Sequence, residues 1–174
     1  MPWMVTTQST GSAATTTYFD KLKRPVRAAS LSFTGTQQIY TDTEYDNQGR
    51  TKRSTRPYFA GAAIYWTIPT YDDLGRTVRV DSPDGSFSTM AYNGLTTVAT
   101  NPKGQTRTEV KNSQGQTISV TDSGGGVLRH AYDPFGNHFF STNPLNQIFA
   151  PLTTYDIRGR KVGSSDPDMG TWST

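Results

Sequence analysis

The sequence predicts an all-β protein made of tandem antiparallel β-hairpins that form a curved, spiralling sheet. Three observations support this prediction: a Tyr-Asp turn motif that returns along the chain, a composition rich in turn and strand formers, and a low apolar content. Alternating segments lie between the turns, as where Val78 and Val80 follow Thr77 and Arg79, which is the pattern of half-buried strands.

The composition favours a thin sheet over a thick core. Among 174 residues only 33% are apolar, and the chain contains 16 Gly and 10 Pro. Aromatic residues make up 11% of the chain, which is too many for a disordered linker. A long sheet with little apolar mass per residue fits both facts.

Charge and cysteine content exclude several classes of function. The formal net charge is only +3 and the basic residues are scattered, so we expect solvated strand faces and no nucleic-acid partner. The absence of cysteine excludes disulfides, thiol catalysis and cysteine zinc sites. No apolar stretch is long enough for a membrane span, and no signal peptide is recognisable.

A short phrase of Tyr, Asp, two variable residues, Gly and Arg recurs along the chain. The full copies are Tyr45, Asp46, Gly49, Arg50; Tyr71, Asp72, Gly75, Arg76; and Tyr155, Asp156, Gly159, Arg160. Another copy keeps Tyr132, Asp133 and Gly136, and residues 19–24 form a degenerate one with Lys23 in place of Gly. A second Asp/Asn turn lies about halfway through the later units, so each unit predicts strand, turn, strand, turn.

The residue types of the phrase explain how it would turn the chain. An Asp side chain can accept bonds from backbone N–H groups two residues on, and Gly takes a positive φ without strain. The Tyr ring can pack on an adjoining repeat, and the Arg can stack on a neighbouring Tyr or pair with Asp. Hairpins of this kind bury their faces only against neighbours, so stability should be a sum over repeats and interfaces.

These repeats define the predicted domain organisation. Residues 1–17 are expected to be an N-terminal extension or capping strand, and residues 18–174 a repeat array that is truncated at its C-terminus. A row of hairpins ends in two unpaired strand edges, through which copies of the chain can associate.

The repeated phrase resembles that of the RHS/YD-repeat family, which includes bacterial RHS polymorphic toxins, toxin-complex C components and teneurin-like YD shells. The resemblance covers roughly residues 18–172. It implies a partial β-shell, which in bacterial members closes around a toxic C-terminal domain. It also implies secretion or display at the cell surface through a larger parent protein, with the remaining repeats or a cargo domain as partners.

Two departures from the family pattern are visible. Lys23 replaces the turn Gly, which predicts a distorted first repeat. The segment 138–152 is unusually apolar, and it is interpreted either as a core between repeats or as a surface that meets another subunit. Its apolar residues are Phe139, Phe140, Ile148, Phe149 and Leu152.

Candidate chemical sites are few, and each has a plainer interpretation. His130 and His138, with Asp133 near them, form a metal pair or are two strand-surface histidines. The segments 81–85 and 166–168 resemble calcium loops but have too few carboxylates, with two each. The segment 133–136 resembles a self-cleavage element of RHS core domains, yet it also fits a plain turn. We therefore predict no catalytic residue, no metal and no cofactor.

Three functional hypotheses follow, and none is an enzyme. The first is a structural scaffold, a segment of an RHS/YD-repeat shell that encapsulates or presents a toxin. The second is a surface that binds a carbohydrate or a protein through its Tyr and Arg faces. The third is a self-associating repeat protein that forms oligomers or filaments. The tyrosines of the second hypothesis are Tyr18, Tyr45, Tyr71, Tyr92, Tyr132 and Tyr155.

Overall fold

The computed structural model describes residues 3–7, 14–145, 147, 152–166 and 169–173. Over these residues the chain has 17 strands, and every strand pairing with a defined register is antiparallel. The predicted all-β class and the tandem hairpins are thereby confirmed. No helix in the described part of the chain is long and apolar enough to cross a membrane.

The chain divides into two compact units, Met1–Ser88 and Thr89–Thr174. In the first unit the strands follow the order β1-β2-β3-β4-β5-β7-β8, and β6 pairs with the first half of β4. The strands are β1 (Trp3–Thr7), β2 (Thr15–Phe19), β3 (Pro25–Leu31), β4 (Gln38–Tyr45), β5 (Thr51–Thr55), β6 (Tyr58–Phe59), β7 (Trp66–Tyr71) and β8 (Thr77–Asp81).

The second unit contains a meander and a separate three-stranded sheet. Strands β9 to β14 pair in chain order, whereas β15, β16 and β17 form a three-stranded sheet of their own. The strands are β9 (Phe87–Asn93), β10 (Thr96–Thr100), β11 (Thr106–Lys111), β12 (Thr117–Thr121), β13 (Val127–Tyr132), β14 (His138–Thr142), β15 (Leu152–Tyr155), β16 (Lys161–Asp166) and β17 (Gly170–Ser173).

The hairpins close through one recurring turn. In its second copy the Asp46 N–H donates to the Arg50 carbonyl at 2.8 Å, and the Gly49 N–H donates to the Asp46 carbonyl at 3.0 Å. Gly49 has a φ of 81°, and the strand register shifts between Glu44 and Tyr45. This combination is a type I turn followed by a left-handed residue that forms a β-bulge.

The first repeat has the same turn, so the distortion expected from Lys23 is wrong. Lys23 itself adopts the positive φ, at 62°, and its N–H donates to the Asp20 carbonyl at 3.0 Å. Asp20 in turn donates its N–H to the Arg24 carbonyl at 2.9 Å. The hydrogen bonds of the turn and its Asp side chain hold a lysine in a conformation that glycine adopts more readily.

The interior is thin, as the low apolar content predicts. Within the described residues, Ala29 is the one buried hydrophobic side chain, at 6% exposure. Several buried positions are polar instead, among them Asp42, Ser141 and Ser164. Stability must therefore come largely from hydrogen bonds and stacked rings between hairpins rather than from a central core.

The apolar segment 138–152 is described only in part. The rings of Phe139 and Phe140 are 5.4 Å apart in an edge arrangement, and both residues are half-buried. Ile148 and Phe149 lie outside the described residues, so the choice between a core and a docking surface stays open.

Candidate functional site

Each full copy of the phrase closes on itself through its Asp side chain, an arrangement we call the turn clasp. Asp46 Oδ1 accepts the backbone N–H groups of Gln48 and Arg50, both at 2.9 Å. Asp46 Oδ2 accepts from Arg50 Nε at 2.7 Å. The clasp therefore supplies an acceptor for two backbone N–H groups of the turn. It also pairs the arginine with a carboxylate inside the same five-residue segment. The same set of bonds occurs at residues 20–24, 72–76 and 156–160.

The clasp changes the acidity of its carboxyl group. Hydrogen bonds from the backbone and then the side chain of Arg160 hold the pKa of Asp156 below its ordinary value. The Arg24 backbone N–H is the largest cause of the lowered pKa of Asp20, followed, against a smaller effect of burial, by the Arg24 side chain. Each carboxylate is thus favoured in the charged form that the clasp requires.

The arginine of one clasp also contacts the tyrosine of the next repeat, and we call this contact the inter-repeat lock. The guanidinium carbon of Arg24 lies 4.5 Å from the ring centre of Tyr45, and the Tyr45 hydroxyl donates to the Pro25 carbonyl at 2.9 Å. Arg50 lies equally close, at 4.5 Å, over Tyr71. The Tyr71 hydroxyl donates to the carbonyl of residue 51 at 2.9 Å.

One turn of the second unit, at residues 112–116, forms the same contacts with uncharged side chains. Asn112 replaces Asp, and its amide donates to Gln116 Oε1 at 2.7 Å. Gln116 then donates to the Gly136 carbonyl of the next turn at 2.6 Å. The Tyr132 hydroxyl donates to the Thr117 carbonyl at 2.9 Å, which repeats the lock in the absence of an arginine.

The last lock joins the two sheets of the second unit. The Tyr155 hydroxyl donates to the His138 carbonyl at 3.1 Å. The turn before it is clasped by Asp133, whose Oδ2 accepts from the Asn137 amide at 2.9 Å. A hydroxyl bond to the residue after the clasp is therefore common to both units.

A second row of arginines was not anticipated from the sequence. Arg27, Arg53 and Arg79 follow the clasp arginines by three residues and recur every 26 residues. Their guanidinium carbons lie 4.9, 4.0 and 3.7 Å from aromatic ring centres. The rings belong to Tyr40, Trp66 and Phe87. The sequence does contain a signal for this row, because its 26-residue spacing is also the spacing from Tyr45 to Tyr71.

Each arginine of this second row is paired with a carboxylate. Arg27 forms two bonds to Asp42, at 2.6 and 2.9 Å, and Tyr58 donates to the same carboxylate at 2.6 Å. The Arg27 bond is the main reason that the pKa of Asp42 is lowered, against the opposing effect of burial. Arg53 and Arg79 pair with Glu44 and Asp81, at 2.6 and 2.7 Å.

An open cleft of about 690 Å³ lies over these side chains in the first unit. It mixes aromatic rings with ion pairs whose members already neutralise one another. The lining residues are Tyr18, Asp20, Arg24, Val26, Arg27, Tyr40, Asp42, Thr43, Glu44, Tyr45, Lys52 and Trp66.

Four of the six tyrosines proposed as a sugar platform form joints between repeats. Tyr45 and Tyr71 each carry an arginine over one ring face and donate their hydroxyl to the backbone. Tyr132 and Tyr155 are half-buried and donate in the same way. This use of ring and hydroxyl favours the packing interpretation over a stripe of exposed stacking surfaces.

The candidate metal sites have other partners. His130 and His138 do come together, but both bind the hydroxyl of Ser141. Asp81 accepts two bonds from Arg79, at 2.9 and 2.7 Å, so its turn is not arranged around a cation. Asp168 lies outside the described residues. No group of three or more His, Cys, Asp or Glu suited to a metal occurs in the described part of the chain.

Comparison with known proteins places this array of clasped antiparallel hairpins among the folds already solved. The chain is similar to chains in structures of TcdB2-TccC3. One of these is the crystal structure of TcdB2-TccC3-Cdc42, at a TM-score of 0.75 and 21% identity over 91% of this chain. A second lacks the hypervariable C-terminal region and gives a TM-score of 0.76 and 21% identity over 93%. The fold predicted from the YD-repeat resemblance is therefore confirmed.

These likenesses show the fold and cover a small part of the larger chains. This chain spans 11% of the length of the TcdB2-TccC3 chains that it matches. No family model matches the sequence, and no curated protein matches it.

Proposed function

We propose that this chain is a segment of the wall of an RHS/YD-repeat shell that encloses or presents a toxin. The observation that carries the proposal is the inter-repeat lock, since it fixes one hairpin to the next through side chains. In the clasps and locks, the Asp, Arg and Tyr side chains of the repeated phrase bind one another or the backbone. The role we infer is mechanical and not enzymatic.

The likeness to TcdB2-TccC3 supports this proposal from a second direction. The sequence phrase resembles that of toxin-complex C components, and the fold matches TcdB2-TccC3 chains over 91–93% of this chain. A segment that spans 11% of such a chain would form its wall only together with further repeats. Secretion or surface display and bacterial origin belong to the same proposal.

The direct test is to read the coding sequence on both sides of this segment and to image the complete polypeptide by cryo-electron microscopy. We expect further Tyr-Asp repeats, an unrelated terminal domain and a closed shell with density inside. A complete polypeptide without further repeats, or one whose sheet stays open and empty, would contradict the proposal. Filaments of this chain alone, seen by light scattering and negative stain, would favour the self-association hypothesis.

A biochemical test asks whether the locks hold the wall closed. In the complete polypeptide, Tyr45→Ala combined with Tyr71→Ala should make the enclosed domain sensitive to an added protease. The matched control is Tyr65→Ala, because Tyr65 is 57% exposed and lies outside the locks. Equal protection of the enclosed domain in both variants would show that the locks do not close the wall.

A further inference from the structure

Two histidines and one serine converge in the β13–β14 hairpin of the second unit. His130 Nδ1 lies 2.7 Å from Ser141 Oγ, and His138 Nε2 lies 2.8 Å from the same oxygen. The two ring centres are 5.9 Å apart. Ser141 is only 3% exposed, and both imidazoles are half-buried. The sequence contains 2 histidines in all, so both are in this cluster.

The hydroxyl group limits how many protons the cluster can hold. A serine hydroxyl has one hydrogen to donate, so it can donate to one imidazole while it accepts an N–H from the other. One added proton keeps both bonds, because the charged ring donates and the neutral ring accepts. A second proton makes both rings donors, and the buried hydroxyl hydrogen then loses its partner. Two positive charges would also face each other across the serine.

Among the residues that the structure describes, the groups that act on His138 include no carboxylate to balance this charge. On β13 it faces His130 and the Tyr132 ring, whose centre is 5.6 Å away. Tyr155 of β15 donates to its carbonyl, and β12 contributes the Thr117 carbonyl, which Tyr132 already uses. The cation Arg129 precedes His130 and, by strand alternation, lies on the opposite face.

The nearest carboxylate along the hairpin is already committed to the turn. Asp133 accepts from the backbone N–H groups of Phe135 and Asn137 and from the Asn137 amide, each at 2.9 Å. Burial, and then the charge of His130, lowers the pKa of His138 below the ordinary histidine value.

His138 also lies where the two sheets of the second unit meet. Strand β14 pairs with β13, whereas β15 pairs with β16, so no backbone ladder joins β14 to β15 in the described residues. The connection includes the Tyr155 hydroxyl bond to the His138 carbonyl at 3.1 Å. A displacement of His138 therefore acts on the hairpin and on the link to the next sheet together.

We propose that the cluster of His130, Ser141 and His138 is a proton-operated joint that loosens the β13–β14 hairpin and its link to β15 in mildly acidic medium. Protons are the ligand that fits, since the described residues offer no third His, Cys, Asp or Glu for a metal. The joint is a property beyond the proposed wall function, and the test of one does not depend on the other. In a wall, it would supply an opening triggered by acid.

The direction of the pH effect follows from linkage. A histidine whose pKa is lower in the folded chain binds fewer protons there than in the unfolded chain. Local stability is then complete above about pH 6.5, the ordinary histidine value, and is lost as the pH falls towards the folded pKa. Each pH unit by which folding lowers a histidine pKa can change the equilibrium constant for opening by about tenfold.

The test is hydrogen exchange of the whole chain at pH 7.5 and pH 5.5, read by mass spectrometry after correction for intrinsic rates. We expect peptides from residues 127–142 and 152–166 to lose protection severalfold at pH 5.5. Peptides from residues 38–55 of the first unit serve as the internal reference and should not change. The variant with both His130→Gln and His138→Gln should lose the pH dependence, because glutamine bonds the serine without titrating in this range.

A second measurement does not depend on the variants folding. NMR of the wild-type imidazoles should show that one histidine binds its proton only well below pH 6.5, and that its signal shift coincides with the loss of protection. Unchanged protection at 127–142 in the wild type, or equal loss in the glutamine variant, would overturn the proposal. Two histidines that titrate at ordinary values would overturn it as well.

Discussion

The turn 46–50 of the first unit and the turn 112–116 of the second unit form the same joint between repeats with different chemistry. In the first unit the clasp is a charged pair such as Asp46 with Arg50, and the arginine stacks on the next tyrosine. In the second unit Asn112 and Gln116 take these positions, and Gln116 binds the next turn through its amide. The hydroxyl of the following tyrosine binds the backbone in both cases.

The comparison separates what the fold requires from what the sequence adds. Both clasps share a side-chain acceptor at the first turn position, a left-handed fourth residue and a fifth residue that reaches back to the first. The charge of Asp and Arg is an addition, since the Asn–Gln clasp preserves the geometry. An exposed ion pair contributes little stability, which explains why its loss is tolerated.

The largest expected effect comes from removing a lock that both units share. Tyr71→Ala in the first unit and Tyr132→Ala in the second should each destabilise the flanking hairpins by about 2–3 kcal/mol, somewhat below the cost for a fully buried ring. Hydrogen exchange of the individual hairpins measures the effect locally. If only one of the two changes destabilised its flanking hairpins, the locks of the two units would not be equivalent.

A smaller effect is expected at the left-handed turn position. Gly49 and Gly115 have φ values of 81° and 82° in the charged and the neutral clasp. Valine at either position should cost about 1–3 kcal/mol through backbone strain, measured as the free energy of unfolding. Lys23→Gly is the matched reverse change, and we expect it to stabilise the chain by up to about 1 kcal/mol.

Neither glycine has a neighbour that would clash with a side-chain carbon. The nearest atom to a Cβ built on Gly49 is Arg24 Nη1 at 3.6 Å, and none lies within 4 Å at Gly115. The requirement for a left-handed residue would be contradicted if valine at both positions and Lys23→Gly all left the free energy of unfolding unchanged.

The smallest effect should distinguish the charged clasps from the neutral clasp of residues 112–116. The pKa of Asp156 is lowered in the folded chain, so the stability from its clasp is present above about pH 4 and is lost as the pH falls further. The same holds for the lowered pKa values of Asp20, Asp46 and Asp72. The Asn112–Gln116 clasp has nothing to titrate.

Hydrogen exchange of the individual turns between pH 5 and pH 2.5 measures this difference. We expect turns 20–24, 46–50 and 156–160 to open before turn 112–116. The double change Asp46→Asn with Arg50→Gln should make turn 46–50 behave like turn 112–116. Simultaneous opening of all turns would show that the carboxylates do not set the acid response.

The sequence predicts local features well because their causes lie within a few residues. The clasp at 46–50 spans five positions, so Asp46, Gly49 and Arg50 are readable from the phrase alone. The second arginine row is different, because Arg27 and Arg53 meet Tyr40 and Trp66 only after two strands pair in one register. Ser141 joins His130 and His138 for the same reason, with a bulge at 131–132 that no local pattern indicates.

The measurement that tests the central claim most directly is a double-mutant cycle on Arg50 and Tyr71, which belong to successive repeats. We predict a coupling free energy of about 0.5–1 kcal/mol between Arg50→Ala and Tyr71→Ala. The control cycle pairs Arg50 with Tyr45 of its own repeat, for which we predict a much smaller coupling. No coupling between Arg50 and Tyr71, or an equal one within the repeat, would contradict the claim that hairpins are held by their neighbours.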